Sequence, residues 1–248
     1  MKKLSLYLLA VLFAIVTPFT LQSCDDDDDI YFIVRMATVN VISGDTFSLE
    51  TDNGEKLWIA TPTNVYWYKP VTGQRVLVKY TILSDEYQGY DHMISLDYIS
   101  DVLTKSVEEL TEENEEEYAN DAVHIEDMWI GGNYFNVQFR FCLPNHYKHR
   151  VSLVENTTAE NPDDGYIHLE YRYNTYDDVT NVWARSLVSF NLGDYAPAEA
   201  STEYKGIKVT INSAVNGTKT YSFDFKENAD NKRIEDSEEI NPTEGKVG

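Results

Sequence analysis

The sequence predicts an all-β protein of two domains, a small five-stranded barrel followed by an antiparallel β-sandwich. Three observations predict it. Apolar and polar residues alternate with a period of two through most of the chain, which turns one face of each segment toward a core and the other toward water. Aromatic residues make up 13% of the 248 residues, 18 of them tyrosines, and with valine, isoleucine and threonine they favour strands. Glycine-containing pairs interrupt the alternation at short intervals, as turns between strands do.

Residues 1–23 precede the first domain. Lys2 and Lys3 form a basic start, Leu4 to Val16 an apolar run, and Pro18 ends any helix continuing from it. A run this short fits a signal peptide, because a spanning helix needs about 20 apolar residues. Ser23 is the small residue expected before a cleavage site, and Cys24 follows it. Leu21-Gln22-Ser23-Cys24 resembles a bacterial lipobox, departing from it at Gln22, where a small residue is usual. The resemblance implies that Cys24 is acylated and anchors the chain to a membrane through lipid. Asp25, Asp26, Asp27, Asp28 and Asp29 repel one another and are expected to form an extended, solvated tether (residues 24–29) of roughly 17 Å. On composition alone this tract is a spacer. Acidic residues directly after a lipidated cysteine also resemble the surface-export signal of Bacteroidetes lipoproteins, which implies an outer-membrane lipoprotein facing the extracellular side. A hard-cation site is not expected there, since such sites wrap ligands around the ion and use a turn glycine.

Residues 30–105 carry the barrel. Ile30 to Ile42 opens it, Gly44-Asp45 turns, and Thr46 to Thr51 returns. Asp52-Asn53-Gly54 then leads into Lys56 to Ala60, and an Asn-Gly pair in this setting predicts a type I′ hairpin. Thr61-Pro62 and Lys69-Pro70 bound an irregular connection containing Tyr66-Trp67-Tyr68. Tyr66 and Trp67 are the candidates for stacking on a sugar or peptide. The competing expectation is that at least one of the three rings plugs the barrel, because aromatics supply so much core area. Arg75 to Leu83 is the next strand, with Val76 and Val78 on one face, and Met93 to Leu103 returns after a turn at Gln88-Gly89. Five short strands in about 75 residues fit a partly open barrel of the OB kind.

Residues 106–122 are Glu-rich, with sparse apolar residues and a Ser106…Glu109 spacing that fits a capping box. They predict an acidic linker with one exposed helix. Alternation then resumes over residues 123–226. Phe135, Val137, Phe139 and Phe141 share a face, as do Ile167, Leu169, Tyr171 and Tyr173. Trp183 to Phe190 forms a further strand, and Ile207, Val209 and Ile211 lead through Asn216-Gly217 to Tyr221, Phe223 and Phe225. Six or seven half-apolar strands describe a sandwich. Residues 227–248 are polar and lack aromatics, and predict a disordered tail.

The formal net charge is −22, from 20 basic and 42 acidic residues. That field opposes nucleic acid, whose phosphates need Lys and Arg. The basic cluster His146-Tyr147-Lys148-His149-Arg150 is expected to be a local counter-charge to acidic neighbours, with a site for an anionic ligand as the alternative. With Cys24 acylated, Cys142 has no intramolecular partner and reads as a small hydrophobe. Asp163-Asp164-Gly165 and Asp177-Asp178 fall where turns are expected, and turn chemistry accounts for them. No nucleophile elbow or metal-ligand spacing occurs, so neither catalysis, metal nor cofactor is expected.

The string Asp127-Met128-Trp129-Ile130-Gly131-Gly132-Asn133-Tyr134-Phe135-Asn136-Val137 opens the second half. Leu169-Glu170-Tyr171-Arg172-Tyr173-Asn174 and Leu187-Val188-Ser189-Phe190-Asn191-Leu192 continue it, and Val102-Leu103-Thr104-Lys105 closes the first. In order and spacing these segments resemble the NigD-like lipoproteins of Bacteroidetes, across most of residues 21–226. The resemblance implies a lipobox, an N-terminal OB domain and a C-terminal β-sandwich, with no catalytic or ligand residues to carry over. The expected role is a non-catalytic cell-envelope protein that binds a glycan, peptide or protein partner. The alternative is an antagonist of another protein, of bacteriocin-immunity or secretion-associated type.

Overall fold

A computed structural model describes residues 33–61 and 65–226. Cys24, the aspartates 25–29 and the predicted tail lie outside the described residues. The first five strands are β1 (Ile33–Ser43), β2 (Thr46–Thr51), β3 (Lys56–Ile59), β4 (Arg75–Tyr87) and β5 (Tyr90–Asp101). They close into a barrel in the order β1-β2-β3-β5-β4, with β1 returning to β4 and β3 running parallel to β5. Every second residue of each strand enters the core, which is why Ala37 and Val39, Leu57 and Ile59, and Val76, Val78 and Tyr80 meet inside. The β4–β5 turn has Gln88 and Gly89 both at positive φ, as a two-residue type I′ turn requires.

β2 and β3 pair as the expected hairpin, but the turn at Asp52-Asn53-Gly54 is wider than the type I′ turn expected. Only Gly54 takes positive φ there, and the Gly54 N–H closes on the Thr51 carbonyl while the Thr51 N–H reaches Glu55. The wider loop lets Asp52 point back over the barrel wall instead of lying at a hairpin tip.

The segment expected to be a linker also differs. After the barrel come β6 (Leu103–Ser106), β7 (Glu108–Leu110) and a one-turn helix (Glu115–Tyr118). β6 joins the edge of one sheet and β7 the edge of another, each pairing in parallel with its neighbour. Leu110, Tyr118 and Val154 bury together as a small cluster. Asp121 accepts the Thr175 N–H, Asn174 donates to the Glu117 carbonyl, and Arg172 to that of Ala119. The Glu-rich composition hid this because only a few side chains turn inward, and the carboxylates between them find basic partners such as Lys105 and Arg150.

The sandwich continues with β8 (His124–Gly131), β9 (Tyr134–Cys142), β10 (Arg150–Asn156), β11 (Tyr166–Asn174), β12 (Trp183–Asn191), β13 (Gly206–Ser213) and β14 (Gly217–Asp224). One sheet has the order β14-β13-β11-β10-β7 and the other β6-β12-β9-β8. β12 lies in the sheet opposite β11, so the chain comes back over the sandwich and β13 meets β11 in parallel. The hairpins β8–β9 and β13–β14 and the pairs β10–β11 and β9–β12 are antiparallel. The core between the sheets holds Phe135, Val137 and Phe139 against Leu169, Tyr171, Val209 and Phe223.

Candidate functional site

Tyr66, Trp67 and Tyr68 divide between the two roles the sequence offers. Tyr68 enters the barrel core, packs against Phe47 with ring centroids 5.6 Å apart, and donates its hydroxyl to Asp101 at 2.9 Å. Burial, and then the adjacent Asp101 carboxylate, push its phenol far above the ordinary tyrosine range. Tyr66 and Trp67 stay outside, 83% and 57% exposed. The Trp67 ring stands edge-on to that of Tyr68, with centroids 6.2 Å apart, so a buried residue orients an exposed one. The pair thus has the exposure and support that a stacking surface needs.

The other candidate lies where barrel and sandwich meet, and it rests on residues that the sequence did not single out. Arg75, at the start of β4, is 1% exposed. Its guanidinium pairs with Asp52 at 2.5 Å and donates to Thr38 at 3.0 Å and to Asn136 at 3.2 Å, while Tyr134 lies 4.6 Å from it, ring centroid to Cζ. Asp52 accepts the Trp129 indole N–H at 2.8 Å, and Ser189 donates to Asn136 at 2.5 Å. Asn136 and Ser189 are fully buried, so their polar atoms depend on these partners. Met36, Val102 and Trp129 pack beside the network, with Leu77 and Leu187 against them.

A cleft of about 440 Å³ opens next to this network, with Val34, Arg35, Leu77, Trp129, Gln138 and Leu187 among its walls. β1 and β4 supply the barrel side, and β8, β9 and β12 the sandwich side. Domain junctions are where ligand pockets commonly form, because two rigid surfaces make a concavity that neither has alone.

The remaining candidates resolve into structure. Asp178 accepts the backbone N–H groups of His146 and Tyr147, each at 2.6 Å, and these hold its carboxyl well below the usual range. His149 bonds the Tyr173 hydroxyl and the Asp178 carbonyl, and Arg150 pairs with Glu108 and Glu117. Asp164 receives Lys208 at 2.5 Å and His168 at 3.1 Å, and Lys208 above all keeps its carboxyl ionised. Cys142 is a half-buried free thiol. Among the described residues, no group of three or more His, Cys, Asp or Glu side chains is placed to hold a metal ion, and no helix is long and apolar enough to cross a membrane.

Comparison with known proteins follows the same division of the chain. Residues 36–102 match the model of the NigD-like N-terminal OB domain, and residues 106–225 that of the NigD-like C-terminal β-sandwich domain. The structure of a protein of unknown function from Bacteroides vulgatus is 34% identical, over 78% of this chain and 90% of that one, with a TM-score of 0.72. A protein from Parabacteroides distasonis, described as a candidate toxin-related protein, is 28% identical over 82% of this chain and 100% of its own, with a TM-score of 0.63. A NigD-like immunity protein from Bacteroides caccae shares the fold at 17% identity and a TM-score of 0.58, over 83% of this chain and 97% of its own. None of the curated proteins matches.

Proposed function

The chain belongs to the NigD-like family of an OB domain followed by a β-sandwich, and from that premise we propose a non-catalytic lipoprotein of the cell envelope that presents a binding surface outside the membrane. The address comes from Leu21 to Cys24 and the five aspartates after it. The observation that carries the binding reading is the separation of Tyr68, buried, from Tyr66 and Trp67, exposed beside it. Two aromatic rings kept in water beside Tyr68, which is anchored in the barrel core, suit a sugar ring or an apolar peptide side chain. A glycan and peptide screen with wild-type protein, Tyr66→Ala and Trp67→Ala tests it: hits lost in both variants support the surface, and hits retained in both remove it. Cys24→Ala should release the protein to the soluble fraction. Replacement of Asp25 to Asp29 by alanine should leave it lipidated but protected from protease added to whole cells.

A second reading is an antagonist of another protein, of immunity type. It is favoured by the 28% identical neighbour described as toxin-related and by an acidic chain that would steer a basic partner. Deleting the gene should then sensitise cells to a toxin encoded nearby, and unchanged sensitivity would remove this reading.

A further inference from the structure

In a chain of net charge −22 the described arginines are not scattered. Arg75 is buried at the junction, Arg150 is paired with Glu108 and Glu117, and Arg172 with Glu170. The other three, Arg35, Arg140 and Arg185, lie along one strip. Arg35 lines the junction cleft. Arg140 and Arg185 face each other directly across β9 and β12.

The register of these two strands sets out the strip in rows. Asn136 opposite Ser189 is covered by the barrel through Arg75. Gln138 opposite Leu187 comes next and lines the cleft. Arg140 opposite Arg185 follows, and then Cys142 opposite Trp183. Alternate residues of a strand share a face, so all four rows look the same way, away from the sandwich core. Arg185 is 71% exposed and Trp183 51%. The Arg140 guanidinium lies 5.1 Å from the Trp183 ring centroid, and His124 meets the same ring edge-on at 5.0 Å. One carboxylate, Glu126, answers the arginine row, at 2.9 Å from Arg185 and 3.9 Å from Arg140, with Gln138 donating to it at 2.9 Å. Asp127, opposite Gln138, is a second carboxylate on this face, so Arg35, Arg140 and Arg185 outnumber Glu126 and Asp127 by one charge.

We propose that this strip is a docking site for an extended acidic peptide segment of a partner protein, with an apolar side chain in the cleft, a carboxylate on the Arg140–Arg185 row and an aromatic or apolar side chain against Trp183. Charge complementarity selects the acidic residue, because a surplus of guanidiniums in this row attracts a carboxylate and repels a basic side chain. Spacing selects the peptide. Rows on a sheet face repeat about every 7 Å, the distance between side chains i and i+2 of an extended chain. Apolar, acidic and apolar side chains at alternate positions therefore meet the rows in phase. The inference uses a face other than Tyr66 and Trp67 and stands whether or not those rings take a ligand.

The test is calorimetric titration of the folded protein with a short acetylated and amidated peptide carrying leucine, glutamate and phenylalanine at alternate positions, separated by serine. Binding should weaken as salt rises. Glutamine in place of the glutamate, or Arg185→Ala in the protein, should each weaken it by roughly fivefold, as for an exposed ion pair. Trp183→Ala should weaken it independently. Arg185 is exposed, so its variant should keep the wild-type melting curve, which separates lost binding from lost fold. Equal affinity for the glutamate and glutamine peptides, equal affinity of wild type and Arg185→Ala, or no binding would overturn the proposal. Binding of oligogalacturonate with no binding of the peptide would also overturn it and assign the strip to an anionic glycan.

Discussion

Trp129 donates its indole N–H to Asp52 across the boundary between sandwich and barrel, at 2.8 Å. The same carboxylate neutralises Arg75, so one side chain joins the two domains and compensates a buried cation. Removing one partner of a buried pair leaves the other uncompensated, which typically costs about 3–5 kcal/mol. Asp52→Ala should therefore destabilise the chain by about that amount in urea denaturation. The double variant Asp52→Asn with Arg75→Met should lose less, because no buried charge is left alone. A cost below about 1 kcal/mol for Asp52→Ala would mean that water reaches Arg75.

Gly131 tests the same contact from the other side. A Cβ at this position would lie 2.2 Å from the Asp52 carboxyl carbon, too close for any real contact. Gly131→Ala must push Asp52 away from Trp129 and Arg75, and should cost about 1–3 kcal/mol, as overpacking generally does. Combined with Asp52→Ala the cost should be less than additive, since the carboxyl clash is gone and only a Cβ–Cβ approach of 2.7 Å is left. Additive costs in the double-mutant cycle would place the effect elsewhere.

Tyr68 and Trp67 should separate stability from binding. Tyr68→Phe removes the bond to Asp101 and should lower stability by about 1–2 kcal/mol. Trp67→Ala removes an exposed ring and should stay within about 0.5 kcal/mol of wild type. Denaturant midpoints measure both, and a large loss in Trp67→Ala would make that ring part of the packing.

Much of the fold was legible because it follows from period-two alternation, which marks the core face of β4, β9, β11 and β13 from local residues alone. The junction was not, because its partners are distant in the chain. Arg75 reads as an ordinary strand start and Asp52 as a turn residue. A weaker signal was present. Met36 and Leu77 are out of phase with Ala37, Val39, Val76 and Val78, so they place apolar side chains on the outside of the barrel. Trp129, between Met128 and Ile130, does the same for the sandwich. Apolar residues on the outer faces of both domains are what a shared interface requires. The arginine strip was hidden for a related reason: Arg140 and Arg185 become neighbours only through the β9–β12 register.

Acid should unfold the protein in a defined window. Burial pushes Glu108 up, but Ser152, Lys105 and Arg150 together outweigh it and leave its pKa lowered. Lys208 lowers Asp164, and backbone N–H groups of Tyr147 and His146 lower Asp178. A carboxyl whose pKa falls on folding contributes stability above its unfolded value, near about 4, and loses it as pH drops through the folded value. The buried phenols act on the alkaline side. Burial above all raises Tyr68, Tyr171, Tyr173 and Tyr195, so their contribution holds below about pH 10 and is lost above it. Tm followed by circular dichroism should be level between about pH 5 and 9 and fall on both sides. A level Tm down to about pH 2.5 would mean that these carboxylates bond equally well when protonated.

The segment between the domains gives the last prediction. Leu103–Ser106 and Glu108–Leu110 complete one edge of each sheet of the sandwich, pairing with β12 and β10. Lys105 ties the crossing point, donating to Glu108 at 3.1 Å, to the Val151 carbonyl at 2.9 Å and to Ser152 at 3.1 Å. Leu110 is 1% exposed. A fragment beginning at residue 112 lacks all of these contacts, opens two strand edges to pairing with other chains and uncovers Tyr118 and Val154. It should aggregate or lose its near-ultraviolet dichroism. A fragment beginning at residue 103 keeps both edges and should unfold cooperatively. It should be less stable than the whole chain, because Trp129, Asn136 and Ser189 lose Asp52 and Arg75. Identical urea transitions for the two fragments would leave residues 103–111 no part in the stability of the sandwich.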